Sequence, residues 1–193
     1  MSIICVLQGG PRKNGNTAAL TRAFEKRLAE RGVSYSDLWL PDMDIAPCTG
    51  CRVCQDDFSG MGCVIKDDME KIFAEVMESS IIVLASPIYS WYCTPPMKIV
   101  MDRLAYGMNK YYGKKAGPSL WEGKSLAVIT TCGYRPEKGA ELWNEGVKRY
   151  CRHSKLKYIS MLAERHTGYD HEFMDSEKEN HARDFADMLA DIV

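Results

Sequence analysis

The sequence lacks three features, each of which would place it in a large class of proteins. It has no apolar run near the roughly 20 residues that a transmembrane helix needs, so we expect no contact with a membrane. Its charges nearly cancel, with 25 Lys and Arg against 26 Asp and Glu, which predicts no nucleic-acid partner. It has no internal repeat, low-complexity tract or interdomain linker, so residues 1–193 are predicted to form a single domain.

The amino terminus also has no basic segment and no cleavage site, because an apolar run begins directly at residue 3. We therefore expect no signal peptide and a cytoplasmic location. In that reducing compartment the eight cysteines predict metal or redox chemistry rather than a disulfide framework. Half of them are clustered in one stretch, at Cys48, Cys51, Cys54 and Cys63.

Short apolar runs alternate with amphipathic stretches along the chain. The apolar runs predict five strands, at residues 3–7, 34–40, 81–85, 126–131 and 157–162. Helices are predicted at residues 17–31, 137–150 and 176–192, and two more where Asp67 with Glu70 forms a capping box and where Thr94 precedes Pro95. This alternation predicts an α/β fold in three layers, with a doubly wound, five-stranded parallel sheet between helices.

Ligands of such sheets bind at the carboxyl ends of the strands, and the loop after the first strand has the composition of a phosphate site. Its candidate binding residues are Gly10, Arg12, Asn14, Gly15, Asn16 and Thr17. Glycines let the backbone approach a ligand, and a helix amino terminus presents free N–H groups to an anion. Asn16 and Thr17 add side-chain donors, and Arg12 can add a charge-assisted bond.

Two better-known phosphate motifs fit this loop poorly. Gly10 and Gly15 have the spacing of a nucleoside triphosphatase loop, but Asn16 stands where a lysine would reach the outer phosphates. The Gly-x-Gly-x-x-Gly pattern of dinucleotide folds is missing. A terminal phosphate monoester fits better, and a plain strand-to-helix turn is the alternative.

The loops after the third and fourth strands are predicted to reach the same edge of the sheet. Their candidate binding residues are Pro87, Ile88, Tyr89, Ser90 and Trp91 in one loop, and Thr131, Cys132, Gly133 and Tyr134 in the other. Aromatic faces and backbone N–H groups suit a flat heterocycle. Ordinary packing of the aromatic side chains is the alternative.

Together these residues resemble the flavodoxin-like NAD(P)H-dependent FMN reductase family, and more narrowly its iron–sulfur flavoprotein branch. The resemblance extends from about residue 3 to about residue 103. Its motifs are the phosphate loop, Pro47-Cys-Thr-Gly-Cys-x-x-Cys54, Asp67-Asp68-Met69, Ser86-Pro87-x-Tyr89, and Lys98 with Asp102-Arg103. Family members usually carry Ser where this chain has Gly10, so one hydroxyl donor to the phosphate is missing.

The resemblance implies a flavodoxin-like fold that binds FMN, with the phosphate in the first loop and the isoalloxazine ring between the other two. It implies that NAD(P)H gives a hydride to the flavin, which then reduces a small acceptor such as a quinone, an azo or nitro compound, or free flavin. It also implies a homodimer or homotetramer, with the helix of Asp102 and Arg103 near the interface. No catalytic residue is predicted, because the cofactor does the chemistry and the protein orients it.

The clustered cysteines leave three interpretations open. Four thiolates are the ligands of an iron–sulfur cluster, and the spacing Cys48-x-x-Cys51-x-x-Cys54 lets three of them converge, with Cys63 completing the set. Zinc accepts the same ligands, although its four-cysteine sites usually split two and two. The third interpretation is that free or loosely paired thiols shape the loop at residues 41–66.

Two further functions also remain open. One is an iron–sulfur flavoprotein electron carrier that takes electrons from a protein such as ferredoxin, and the other is a non-enzymatic module that uses the fold without flavin. The long connection at residues 107–123 is expected to act as a lid or a subunit contact. His166, His171 and His181 are too dispersed in the sequence to predict a catalytic set or metal site.

Overall fold

Strands and helices alternate along the chain, which the computed structural model describes at residues 3–168 and 170–193. The strands are β1 (Ile4–Gln8), β2 (Tyr35–Trp39), β3 (Ile81–Pro87), β4 (Ser125–Cys132) and β5 (Lys157–Arg165). The helices are α1 (Asn16–Glu30), α2 (Met69–Glu78), α3 (Pro95–Met108), α4 (Pro136–Gly139), α5 (Glu141–Ser154) and α6 (Ser176–Ala190). In this described part, no helix combines the length and apolar character needed to cross a membrane.

The five strands form one parallel sheet in the order β2-β1-β3-β4-β5. This is the flavodoxin-like order, so the predicted fold class is confirmed. Neighbours of β1 in the sheet are β2 on one side and β3 on the other, which places the topological switch point between β1 and β3. The carboxyl ends of β1, β3 and β4 therefore open toward one crevice.

Apolar side chains cover both faces of the sheet. On one face α1 and α6 pack together, with the rings of Phe24 and Phe185 6.0 Å apart. On the other face α2, α3 and α5 enclose a second core, in which Trp121 and Trp143 are fully buried. Each large side chain removed from water in this way contributes roughly 1.5–3 kcal/mol. Two such layers hold the strand ends rigidly.

The predicted strands and helices are all present, with boundaries that differ by up to four residues, the largest difference being the end of α5 at Ser154 where residue 150 was predicted. The helix predicted at residues 137–150 is divided at Ala140 into α4 and α5. The last strand continues to Arg165, three residues beyond its predicted end. Residues 41–66 are irregular, as predicted, apart from short 3-10 turns at Leu40–Asp42 and Val53–Gln55.

The predicted capping box of the second helix is wrong. The helix begins only at Met69, and Glu70 binds the Lys66 Nζ at 2.7 Å instead of turning back to the cap. Asp67 faces inward, where it forms an ion pair with Arg103 and accepts a hydrogen bond from the Ala46 N–H at 2.9 Å. The same carboxylate accepts from the Met69 N–H at 3.1 Å, so Asp67 bonds both to the first residue of the helix and to the buried guanidinium.

The long connection at residues 107–123 folds back on itself through a bridge between Asn109 and Ser119. Trp121 is buried and donates from Nε1 to the Asn109 Oδ1 at 2.9 Å. Asn109 also donates to the Ser154 Oγ in α5 at 2.9 Å. The segment thus packs beside α5 and does not line the cleft at the strand ends. The predicted subunit contact stays a prediction.

Candidate functional site

A cleft of about 190 Å³ opens at the carboxyl ends of β1, β3 and β4. Eleven residues predicted from the three loops line it: Gly10, Arg12, Gly15, Asn16, Thr17, Pro87, Ile88, Tyr89, Thr131, Cys132 and Gly133. The topology brings these loops together, because parallel strands end at the same edge. Asn14 lies outside the lining of this cleft.

The amino terminus of α1 forms one wall of the cleft. Gly15 occupies the N-cap position with an extended backbone, and no side chain caps the helix. The first helical residues, Asn16, Thr17 and Ala18, all line the cleft. Uncapped N–H groups and the positive end of the helix dipole make such a terminus a site for anions. The Gly15 N–H itself donates to the Arg12 carbonyl at 2.9 Å, which closes the turn before the helix.

The start of the loop is held against α3. Gly9 donates its N–H to the Ala85 carbonyl at 2.8 Å and accepts from the Thr94 hydroxyl at 2.6 Å. A Cβ atom at Gly9 would lie 2.8 Å from both the Met97 Cβ and the Thr94 Oγ1. Thr94 is the N-cap residue of α3, as predicted, but its hydroxyl bonds to the loop and not to its own helix. The phosphate loop and α3 are therefore one packed unit.

The hydroxyl groups of Thr17 and Thr131 meet inside the protein at 2.7 Å. The backbone of Thr131 also accepts from the Ile88 N–H at 2.8 Å. Thr17, predicted as a side-chain donor to the ligand, thus connects α1 to the β4 loop. One hydrogen-bonded chain joins the three loops around the cleft.

A second cavity, of about 150 Å³, adjoins the first and contains the remaining aromatic candidates. Ser90, Trp91 and Tyr134 line it, and it shares Ile88, Cys132 and Gly133 with the cleft. The rings of Trp91 and Tyr134 are stacked, with centroids 5.9 Å apart and planes 13° from parallel. The predicted site residues therefore form two connected compartments, one polar and one aromatic.

A tight two-residue turn presents Trp91 to this cavity. Tyr89 and Tyr92 exchange backbone hydrogen bonds of 2.8 and 3.1 Å, while Ser90 and Trp91 have positive φ angles of 52° and 62°. Residues other than glycine rarely adopt this left-handed backbone conformation. Backbone strain of this kind is often found at binding sites. The indole Nε1 donates to the Lys138 carbonyl at 3.2 Å, which fixes the ring.

Five residues that line the cleft were not predicted from the sequence: Gln8, Pro11, Ala18, Trp39 and His166. Gln8 could have been found, because it is a polar residue directly after an apolar run. Its Nε2 donates to both carboxylate oxygens of Asp37 at 2.9 Å. His166 follows β5, and its Nδ1 lies 2.8 Å from the Asn16 Nδ2. Nothing in the sequence indicates that Asn16 and His166, 150 positions apart, are neighbours.

Burial controls the ionisation of the groups in and behind the cleft. It raises the pKa of the Cys132 thiol to about 11, so this cleft residue is neutral near pH 7. Burial also raises the pKa of Asp37, an effect that the bond from Gln8 opposes. Behind it, burial and the Asp37 charge raise the pKa of Glu25 to about 8, although Arg22 lowers it. The cleft therefore holds no thiolate nucleophile.

The four clustered cysteines line a separate small cavity of about 20 Å³ beside α3. All four are free thiols. Arg103 donates from Nη2 to the Cys63 Sγ at 3.2 Å, the Gly50 N–H donates to the Cys48 Sγ at 3.4 Å, and the Cys54 thiol donates to the Tyr106 carbonyl at 3.5 Å. The thiols converge, yet within residues 3–168 and 170–193 no three metal-binding side chains are close enough to share a metal ion.

Two buried side chains secure the cysteine segment from the other side. Lys110 is fully buried and donates from Nζ to the carbonyls of Cys54, Gly60 and Met61 at 2.8, 2.7 and 3.2 Å. Gln55 donates to the Tyr106 carbonyl at 2.6 Å and accepts from the Tyr112 N–H at 2.9 Å. Arg52 and Arg103 line the thiol cavity, and Lys110 bonds to the Cys54 carbonyl beside it.

Comparison with known protein families shows to which family the chain belongs. The model of the NADPH-dependent FMN reductase family matches residues 2–142 of the chain. The chain belongs to this family. An iron–sulfur flavoprotein of Archaeoglobus fulgidus is 35% identical over 142 residues, covering 74% of this chain and 60% of the relative. Another, from Methanocaldococcus jannaschii, is 34% identical over 97 residues, covering 50% of this chain and 49% of the relative. The resemblance to the family and its iron–sulfur flavoprotein branch is confirmed.

These matches span only about half to three-fifths of the length of the two relatives. Among solved structures, an FMN-dependent NADH-azoreductase from Bacillus anthracis in complex with FMN superposes with a TM-score of 0.69. The superposition covers 100% of this chain and 99% of the azoreductase at 14% identity, so it shows the shared fold alone. The flavodoxin-like fold thus continues beyond residue 142, where the family match ends.

Proposed function

We propose that the protein is an FMN-dependent oxidoreductase that takes electrons from NAD(P)H and passes them to a small acceptor. The acceptor class is a quinone, an azo or nitro compound, or free flavin. One observation carries the proposal: the uncapped amino terminus of α1 opens into a polar cleft that continues into an aromatic cavity. This arrangement suits a ligand with an anionic group at one end and a flat ring at the other.

The residues of the polar compartment fit a phosphate monoester. The first-turn residues of α1 line the cleft at the uncapped end of the helix, and Arg12 supplies a positive charge there. Among the described residues that line the cleft there is no lysine to bind the outer phosphates of a triphosphate, and Lys13 of the same loop pairs with Asp42. The Gly10 backbone also allows close approach, since a Cβ there would meet only the Pro87 Cδ at 3.5 Å.

The residues of the aromatic compartment fit a planar ring. Trp91 and Tyr134 are nearly parallel, and the backbone of Cys132 and Gly133 forms the adjoining edge. FMN, when bound, supplies the hydride and electron chemistry. The protein's residues bind and orient FMN. Cys132, which lines both compartments, is a neutral thiol and not a reactive thiolate near pH 7.

The test is the spectrum and the activity of the purified protein. We expect visible flavin absorbance, or its appearance after FMN is added, and oxidation of NADH or NADPH that accelerates with a quinone. Protein that binds no FMN would overturn the proposal and leave a binding module without flavin. Protein that binds FMN but accepts electrons from neither nicotinamide would overturn the NAD(P)H part alone.

A second candidate, an iron–sulfur flavoprotein electron carrier, is favoured by the cysteine cavity. The four cysteines are the residue type that a four-thiolate cluster takes, and the guanidinium of Arg103 donates to the Cys63 Sγ. Cys48, Cys51, Cys54 and Cys63 would hold the group. Anaerobic purification with iron, sulfide and zinc assays separates the three interpretations: a cluster, zinc or free thiols. Fast reduction by ferredoxin and slow oxidation of NAD(P)H would favour the carrier.

We also propose a cytoplasmic homodimer or homotetramer, in line with what the family resemblance implies. The helix of Asp102 and Arg103 is the part expected near the interface. In it the Arg103 side chain is 2% exposed and paired with Asp67, whereas Asp102 lies at the surface and binds Lys98 at 2.6 Å. Analytical ultracentrifugation would show one sedimenting species larger than a monomer, and a monomer alone would exclude the proposal.

A further inference from the structure

We propose that His166 completes the phosphate site of the cleft and takes up a proton when the phosphate ester binds. This inference rests on the proposed function. Its basis is the contact between Asn16, the first residue of α1, and His166, the first residue after β5, at 2.8 Å. Both residues line the same cleft, so the imidazole stands beside the uncapped helix terminus.

The backbone holds His166 in this position. Its N–H donates to the Cys132 carbonyl at 2.8 Å, which continues the β4–β5 pairing by one residue. Its ring packs 6.5 Å from the ring of Phe173. The extension of β5 to Arg165 is what delivers the imidazole to the strand edge. A shorter strand would leave His166 in the following loop.

The contact with Asn16 makes the two side chains one unit. A neutral imidazole Nδ1 accepts the hydrogen bond from the Asn16 Nδ2, whereas an imidazolium donates from both ring nitrogens. Protonation therefore turns the Asn16 amide, so that Oδ1 faces the ring and Nδ2 becomes available to the ligand. A dianionic phosphate ester favours this second arrangement, because the imidazolium then offers it a positive charge and the Asn16 Nδ2 offers it a hydrogen bond. The proton comes from solvent.

Other titratable groups face the same region, and they do not replace this role. Arg12, Tyr89 and the neutral Cys132 line the cleft. Before His166 in β5, Arg165 donates to the Gly133 carbonyl at 3.2 Å, and Glu164 binds His181 at 2.7 Å. Beyond Phe173, the Lys178 Nζ lies 5.7 Å from that ring's centroid. Among the described residues lining the cleft, His166 is the one histidine, whose imidazole can carry a proton on either ring nitrogen.

The experiment is calorimetric titration of the flavin-free protein at pH 7.5 in two buffers of different ionisation enthalpy. FMN is compared with riboflavin, which lacks the phosphate. Two variants are compared with the parent: His166→Asn, which keeps a hydrogen-bonding side chain without a titrating group, and His166→Gln. His153→Asn, in α5 and bonded to Tyr112, is the matched control.

For the parent and the control we expect proton uptake with FMN and none with riboflavin. Both His166 variants should lose this uptake and bind FMN about tenfold or more weakly, the effect of one charge-assisted hydrogen bond. Their riboflavin affinity and melting temperature should match the parent. Variants that keep the parent's FMN affinity and proton uptake would overturn the inference, while FMN binding by the parent would still support the proposed function. A parent that binds no FMN would instead defeat the proposed function itself.

Discussion

Arg103 forms an ion pair with Asp67 in which the two side chains are only 2% and 3% exposed. Both side chains also bond to the backbone of Ala46. The Ala46 N–H donates to Asp67 at 2.9 Å, and Arg103 donates to the Ala46 carbonyl at 3.1 Å. Burial acts to raise the pKa of Asp67, but the guanidinium and the N–H groups of Ala46 and Met69 outweigh it, so the pKa is lowered. The pair anchors the cysteine segment to α3.

Replacing Asp67 by Asn should therefore destabilise the protein by roughly 3–5 kcal/mol, because it leaves a buried guanidinium without its charge partner. The measurement is the free energy of unfolding in urea. Asp102→Asn is the control, since that carboxylate pairs with Lys98 at the surface and should cost about 1 kcal/mol or less. Equal losses in the two variants would contradict the assignment.

Substituting Gly9 by Ala should destabilise the protein by about 1–3 kcal/mol through overpacking. The new methyl group would lie 2.8 Å from Met97 and Thr94, within the unit that joins the phosphate loop to α3. Gly10→Ala, one residue further on, meets only Pro87 at 3.5 Å and should have nearly the parent's thermal stability. If Gly9→Ala melts at the parent's temperature, the loop is not packed as described.

The stability of the parent should fall as pH rises from about 4.5 to about 8 because of Glu25. Burial and Asp37 raise the pKa of this carboxyl from 4.5 to about 8 in the native state. Between these two pH values the native protein holds a proton on Glu25 that the unfolded chain loses. The contribution of Glu25 to the free energy of unfolding is therefore complete below pH 4.5 and is lost toward pH 8.

Glu25→Gln removes this titration and should flatten the curve, with a gain over the parent of a few kcal/mol at most near pH 8. Urea unfolding at pH 5, 6, 7 and 8 measures the difference between the two proteins. The difference reports the titration of Glu25 together with its coupling to Asp37, whose charge helps to raise the pKa of Glu25. Parallel curves for parent and variant would rule out a raised pKa at Glu25.

Lys110→Met should loosen the cysteine segment. It leaves the carbonyls of Cys54, Gly60 and Met61 without their shared donor, at a cost of about 1–3 kcal/mol for each buried group left unpaired. Hydrogen exchange in residues 53–61 and the labelling rate of Cys54 should both rise. Lys114→Met, at an exposed neighbouring position, is the control and should leave both rates unchanged.

The sheet could be predicted because its signal is local. The apolar runs that become β1, β3 and β4 are buried on both faces, and such runs between glycine- and proline-containing loops are typical of parallel strands. The loops of Gly10, Pro87 and Thr131 then had to meet at one edge. The capping box failed because Glu70 pairs with Lys66, while the Asp67 carboxylate is shared between the Met69 N–H and Arg103, 36 residues away.

The rest of the cleft depends on contacts that no local pattern encodes. The pairing of Thr17 with Thr131 and of Asn16 with His166 exists only after α1, β4 and β5 have packed. The positive φ angles of Ser90 and Trp91 are equally hidden, because turns of this type usually carry glycine or asparagine. Sequence patterns therefore located the three loops, whereas packing determined which side chains enter each compartment.

A crystal structure of the protein grown with FMN tests the central claim most directly. We expect the phosphate at the amino terminus of α1, within hydrogen-bonding distance of the N–H groups of Asn16 and Thr17, and the isoalloxazine ring in the cavity of Trp91 and Tyr134. A phosphate bound elsewhere, or a ring outside that cavity, would contradict the account.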